Sequence, residues 1–253
     1  QVNGNPMSGP SGIGDLSLFE PAHYLVTVLA PRGWAVVAGG TPLGEVPEKD
    51  GRTRYAFGLS AARDFGLFVT KGYAVESSAL DGVTVESHFL PADKEAGKRA
   101  LKYAVSALTE FQKRLGPYPW TTFRVVQTRL SAGAGGMEFP GLITVSTGIY
   151  RGATDPLAAL GLPGLGDLPM LQAMLGDLKP MMESTLEFTV AHEVAHQWFP
   201  MMVGSDPIDE PVVDEALVQE MALLYLEWKR GRAAADNMRE AQLKLAYQFH
   251  RMG

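Results

Sequence analysis

The chain has 253 residues, 46% of them hydrophobic and 20% charged, with a formal net charge of -6. That length suits one large domain or two smaller ones with a full apolar core, and the acidic balance leaves no basic field for nucleic acid or an anionic membrane. Cysteine is absent, which excludes disulfides, thiolate zinc sites and a cysteine nucleophile, so any transition metal must be held by His, Asp or Glu.

The opening stretch, Gln1 to Gly14, is rich in Gly, Pro, Ser and Asn and reads as a flexible lead-in. Short apolar-rich runs follow at His23 to Leu29, Trp34 to Ala38, Tyr55 to Ser60, Asp64 to Thr70 and Val83 to Phe89. Punctuation such as Pro31-Arg32-Gly33, Gly39-Gly40, Asp50-Gly51 and Asp81-Gly82 separates them. Their spacing predicts antiparallel β-structure of a partial-sandwich kind over residues 1–89. His23 and His88 fall in these runs and read as structural or exposed.

The character changes at Pro91. Asp93 is placed to cap a helix from about Lys94 to Leu115, with Leu101, Val105, Leu108, Phe111 and Leu115 on one stripe. Gly116 and Pro117 end it. Strands are predicted at Phe123 to Thr128 and Gly141 to Ser146, with a glycine-rich bend at Gly133 to Gly136 between them. Gly152 to Pro180, rich in Gly, Pro and Leu, reads as a loop or lid with short helical pieces. Helices are then predicted near Met181 to Phe199, Val212 to Arg230 and Ala233 to Arg251. The fold class expected is therefore α+β, a β-rich N-terminal portion followed by a portion of helices and strands over residues 90–253. No apolar run reaches the roughly 18–20 residues that cross a bilayer.

The chemistry concentrates in Val190-Ala191-His192-Glu193-Val194-Ala195-His196. His192 and His196 are one helical turn apart on the same face, so both imidazoles aim at one point. Neutral imidazoles at that spacing bind zinc. Glu193 lies one residue on, within reach of the water that a metal activates but outside the ligand set, which is the position of a general base. A catalytic zinc takes a third protein ligand and keeps a position for water. Glu215 supplies that ligand: 18 residues separate it from His196, and it opens the next apolar helix. One zinc ion is the cofactor expected.

These residues resemble the gluzincin metallo-aminopeptidases typified by aminopeptidase N. The signature there is two zinc histidines around a glutamate, then a glutamate after 18 residues. His192, Glu193, His196 and Glu215 match it, and His196-Gln197-Trp198-Phe199 matches the usual continuation. Pro207-Ile208-Asp209-Glu210-Pro211-Val212-Val213-Asp214-Glu215-Ala216-Leu217 resembles a bacterial subgroup in which an apolar pair and an Asp precede the third ligand, although a Trp is more usual where Val212 stands. Gly135-Gly136-Met137-Glu138-Phe139 resembles the family's Gly-Ala-Met-Glu-Asn segment, with Phe139 in place of the Asn.

The resemblance implies a thermolysin-like catalytic domain with a mixed sheet and zinc-binding helices, and release of N-terminal residues from peptide substrates. Gly135, Gly136 and Met137 belong to an edge strand that pairs with the substrate backbone, and Glu138 binds its free amine. It also implies an oxyanion-stabilising tyrosine past Gly253, so that the chain is part of a longer protein; Tyr225 and Tyr247 read as core residues instead. The subgroup implies an exported or membrane-tethered bacterial parent. Two other readings stand beside this one: a non-catalytic peptide-binding or scaffold module that keeps a peptidase fold, and a zinc endopeptidase.

Overall fold

A computed structural model describes residues 20–130, 134–155, 157, 169–206 and 210–244. The lead-in at Gln1 to Gly14, Tyr247, His250 and the side chain of Val212 lie outside the described residues.

Among the described residues, ten strands fall into three sheets. Strands β1 (Ala22–Pro31), β4 (Arg52–Ala62) and β3 (Thr41–Pro47) form an antiparallel sheet in the order β1-β4-β3. Strands β2 (Ala35–Ala38) and β5 (Leu67–Thr70) make an antiparallel ribbon. The third sheet is mixed: β6 (Ala74–Leu80), β7 (Val83–Phe89), β8 (Thr122–Thr128), β10 (Leu142–Ser146) and β9 (Gly136–Phe139), in the order β6-β7-β8-β10-β9. Its β7–β8 and β8–β10 pairs are parallel, and its outer pairs are antiparallel.

This is an α+β architecture with a mixed sheet, as expected from the sequence. The sheet straddles Pro91, however. Strands β6 and β7 precede the change in sequence character yet pair with β8 beyond it, so composition and sheet membership divide the chain at different places. Strands β3 and β6 were not expected. β3 carries Pro42, Gly44 and Pro47 and is exposed throughout, conditions that an edge strand tolerates because its outward N–H groups need no partner. β6 reads Ala-Val-Glu-Ser-Ser-Ala-Leu and is too polar to stand out as a strand.

Five α-helices are described in full: α1 (Lys94–Leu115), α2 (Thr147–Thr154), α3 (Pro169–Ala195), α4 (Pro211–Arg230) and α5 (Arg232–Arg239), with a π-helical turn at Glu240–Lys244, all among the described residues. Helix α1 has the expected limits but buries a different stripe. Ala96, Ala100, Tyr103, Ala104, Ala107, Leu108 and Phe111 are buried, whereas Leu101, Val105 and Leu115 are only partly so. Small alanines let the helix lie close to its neighbours, and larger residues then cover the flanks. Asp93 occupies the cap position without making a cap hydrogen bond; its carboxylate accepts from Gln127 Nε2 at 2.7 Å instead.

The segment Gly152 to Pro180 departs most from expectation. Helix α2 takes its first residues, and α3 begins at Pro169 and runs through Pro180 without a break; residues 158–168 lie outside the described ones. A proline inside a helix forfeits one backbone hydrogen bond. Here Pro180 and Gly176, whose carbonyl it leaves unmatched, are both exposed, so water can take up the carbonyl.

Two sets of contacts position the helices that matter below. Phe111 of α1 packs edge-on or tilted against Trp198, Tyr225 and Trp228, at ring-centroid distances of 5.8, 6.1 and 6.5 Å. Burying a ring of that size is worth about 1.5–3 kcal/mol, and this one joins α1 to the end of α3 and to α4. In the second set, Glu187 of α3 is buried and accepts from Tyr225 Oη at 3.2 Å and from Arg230 at 3.0 and 3.1 Å. Tyr225 is thus a core residue committed to that carboxylate. Helices α3 and α4 are held in register by a charged clasp and an aromatic cluster together.

The N-terminal sheets are pinned to the mixed sheet by Arg124 of β8, which is 5% exposed. Its Nη1 donates to Ala38 O at 2.7 Å and Gly40 O at 2.8 Å, and its Nε donates to Glu86 Oε2 at 2.8 Å. His88 Nε2 lies 3.1 Å from the same carboxylate oxygen. The His88 hydrogen bond, helped by the Arg124 charge and opposed by burial, holds the Glu86 carboxyl below its ordinary value. A carboxyl depressed on folding adds stability above its unfolded pKa and loses it as pH falls through the folded one, so this link weakens in acid. Arg124→Met takes the cation from Glu86, leaving it His88 alone, and leaves Gly40 O to Thr122 Oγ1 and Ala38 O without this donor; we expect it to lower unfolding stability by about 1–3 kcal/mol in urea titrations.

Candidate metal centre

The histidines are delivered by the end of α3, a helix buried along Leu186, Val190, Ala191, Val194 and Ala195. His192 lies inside the helix. His196 follows its last residue, yet its backbone N–H still bonds to His192 O at 3.3 Å, which preserves the one-turn spacing. The two rings stand 5.0 Å apart and nearly perpendicular, at 80°. Glu215 is the fifth residue of α4, just after Asp214 in its first turn. Its Oε2 lies 3.3 Å from His192 Nε2 and its Oε1 lies 3.7 Å from His196 Nε2.

Those separations can be compared with a coordination sphere. Ligand atoms about 2.0–2.1 Å from zinc in a tetrahedron are spaced by about 3.3 Å along its edges. The observed 3.3 and 3.7 Å, one to each oxygen of the Glu215 carboxylate, are of that order, so the three side chains lie near enough to share one ion.

The state of His196 agrees. The ring is 1% exposed, and Nδ1 lies 2.9 Å from Phe199 O, a carbonyl that can only accept. Nδ1 must carry the proton, leaving Nε2 a lone pair; second-shell hydrogen bonds fix metal-binding tautomers in this way. That Nε2 is buried with no hydrogen-bond partner among the described residues. Burial first, then the neighbouring His192, lowers the His196 pKa to about 4, so the ring is neutral at pH 7. Glu215 is held below its ordinary value, chiefly by the His192 hydrogen bond. Two neutral imidazoles and a carboxylate are a donor set suited to a divalent transition ion. His192, His196 and Glu215 bring one donor atom each within 4.8 Å of one another, close enough for the three to hold a metal ion together.

Glu193 is 4% exposed and faces the same cleft. What brings it against the edge strand is Gly136: a Cβ at that position would run into the Glu193 carboxylate, lying 2.6 Å from its Cγ. Glycine is required by this close approach rather than by a turn. Gly136→Val should force Glu193 aside while leaving all three metal donors intact. We expect retained zinc by metal analysis and a roughly 100-fold loss of any hydrolytic rate, the scale expected from displacing a reacting group by about 1 Å.

The edge strand β9 carries Glu138 into the cleft, where its Oε1 lies 3.9 Å from His196 Nδ1. Glu138, Glu193 and His196 form a second group of close donor atoms. Gly135 also lines the cleft, whereas Met137, on the alternate side of the strand, does not. The sequence-predicted residues converge: His192, His196, Glu215, Glu193, Glu138, Gly135 and Gly136 all border one cleft of about 400 Å³.

Several residues of this cleft were not singled out from the sequence. Thr189, Phe188 and Thr185 line it, and they stand three, four and seven residues before His192, the offsets that share a helix face. Gln219 lines it one turn after Glu215, joined by Ile149 of α2 and Gln242 of the π-helical turn. Helical spacing from the two ligand positions identifies four of these six. Ile149 and Gln242 arrive through tertiary packing alone.

The cleft thus combines three carboxylates and two imidazoles with no lysine or arginine among its described lining residues. Among the described residues no helix is long and apolar enough to cross a membrane. Comparison of the chain with protein-family models and with curated proteins finds no match in either.

Proposed function

We propose that the chain is the zinc-binding part of a metallo-aminopeptidase, which hydrolyses the peptide bond after the N-terminal residue of a peptide. The observation that carries this reading is the convergence of His192, His196 and Glu215, with donor atoms within 4.8 Å of one another, and of Glu193 and Glu138 in the same cleft. The resemblance of both motifs to aminopeptidase N-like gluzincins supports it.

A zinc ion held by those three residues supplies Lewis acidity, which polarises the scissile carbonyl and makes water acidic enough to be deprotonated near neutral pH. The residues do the rest. Glu193, outside the ligand set, takes the proton from the attacking water and passes it to the leaving amine. Glu138 pairs with the substrate ammonium, a charge-assisted contact that sets which peptide bond reaches the metal. Strand β9, at the end of its sheet, offers backbone groups on its free side to an extended peptide, as edge strands do.

The test compares chromogenic aminoacyl substrates with their N-acetylated counterparts, using the zinc-loaded protein. Free amines should be cleaved and blocked ones should not, since an N-acetyl group removes the cation that Glu138 pairs with. Cleavage of both equally would replace this reading with an endopeptidase. Cleavage of neither, with zinc bound, would favour a non-catalytic peptide-binding module.

A further inference from the structure

Glu138 can read an ammonium only if the strand that carries it stays at a fixed distance from the metal donors. Two contacts, both at the next residue, supply that constraint. Successive side chains of a strand point to opposite faces. Accordingly Glu138 lines the cleft while the Phe139 ring turns away from it, packing against the Val37, Val126 and Leu142 cluster and edge-on against Phe68 at 6.3 Å and 74°. Gly66 makes room for the ring, since a Cβ there would lie 2.6 Å from it.

The second contact comes from the metal helix. Gln197 directly follows the ligand His196 and is fully buried. Its Nε2 donates to Phe139 O at 3.1 Å, and its Oε1 accepts from Gly141 N at 2.9 Å. A carbonyl only accepts and an N–H only donates, so one orientation of the amide satisfies both partners. A buried amide matched at both ends is costly to move. The path from metal to substrate reader is thus continuous: His196, the Gln197 amide, the Phe139 peptide group, Glu138.

We infer that Gln197 is a positioning residue, gripping the Phe139 peptide group so that Glu138 sits where a substrate ammonium meets it while the carbonyl meets the metal. The inference rests on the aminopeptidase reading of the cleft. It makes the β2–β5 ribbon, through Phe68 and Gly66, a support for substrate recognition rather than a separate module.

The experiment is a binding measurement on the zinc-loaded full chain, with two probes that share a zinc-chelating head: leucine hydroxamate, and its analogue lacking the α-amine. The unaltered protein should bind the amine-bearing probe about 10- to 100-fold more tightly, the scale of a hydrogen-bonded charged pair. In Gln197→Met that preference should fall below about threefold, with zinc content and affinity for the amine-free probe unchanged. A merely structural role would weaken zinc and both probes together. Phe139→Ala should collapse the preference in the same way and Phe139→Leu should restore most of it, an arm that decides the matter if Gln197→Met does not fold.

Full preference in Gln197→Met and in Phe139→Ala overturns this inference and leaves the aminopeptidase reading standing. Absence of any preference in the unaltered protein overturns the amine-reading role of Glu138 itself.

Discussion

Glu193→Gln should abolish most turnover while zinc stays bound: a fall of about 10²–10⁴-fold in kcat, the range that general-base catalysis supplies. Glutamine keeps the shape of the side chain and its contact with Gly136 but cannot take a proton at neutral pH. Zinc content should be unaffected, because the three donors are His192, His196 and Glu215 and none of them touches the metal through residue 193. Steady-state kinetics on an aminoacyl substrate, paired with metal analysis of the same preparation, checks both halves. Turnover at the unaltered rate with zinc in place would remove Glu193 from the mechanism.

Glu215→Ala should act on the other half of the site. Structural zinc sites with four protein ligands bind with about 10–16 kcal/mol at neutral pH, about 3–4 kcal/mol for each ligand. Losing one carboxylate donor therefore predicts a fall in zinc affinity of about 10²–10³-fold, measurable by competition with a chelator. The helix should survive, because the half-exposed Glu215 side chain contributes little to packing, and the α3–α4 contact is held elsewhere by Glu187, Tyr225 and Arg230. A change of less than a few-fold would mean that the third donor is another residue.

Both substitutions concern positions that the sequence discloses, and the reason is geometric. Helical periodicity converts the His192/His196 spacing directly into a shared face, and a carboxylate opening the following helix has few other places to point. The edge strand was expected only from the resemblance of Gly135 to Phe139, because the glycines by themselves read as a bend; Gly136 lies in the strand and has no side chain because Glu193 occupies the space. Elsewhere local signals competed with tertiary ones. Gly176 and Pro180 read as breakers, yet α3 continues through them because both are exposed and a lost backbone hydrogen bond there costs little. The stripe of α1 was misplaced because leucines and valines outrank alanines in an apolar pattern, whereas close packing selects the alanines. Gln197 was named only within the continuation of the motif; its two partners, Phe139 and Gly141, lie 58 and 56 residues earlier in the chain, a distance that periodicity does not reach.

Crystals of the zinc-loaded protein, with anomalous diffraction collected on both sides of the zinc absorption edge, test the metal centre most directly. We expect one strong peak about 2.0–2.2 Å from His192 Nε2, His196 Nε2 and a Glu215 carboxylate oxygen. A peak coordinated by Glu138 and Glu193 in place of His192 and Glu215, or no peak within reach of the two imidazoles, would contradict the account.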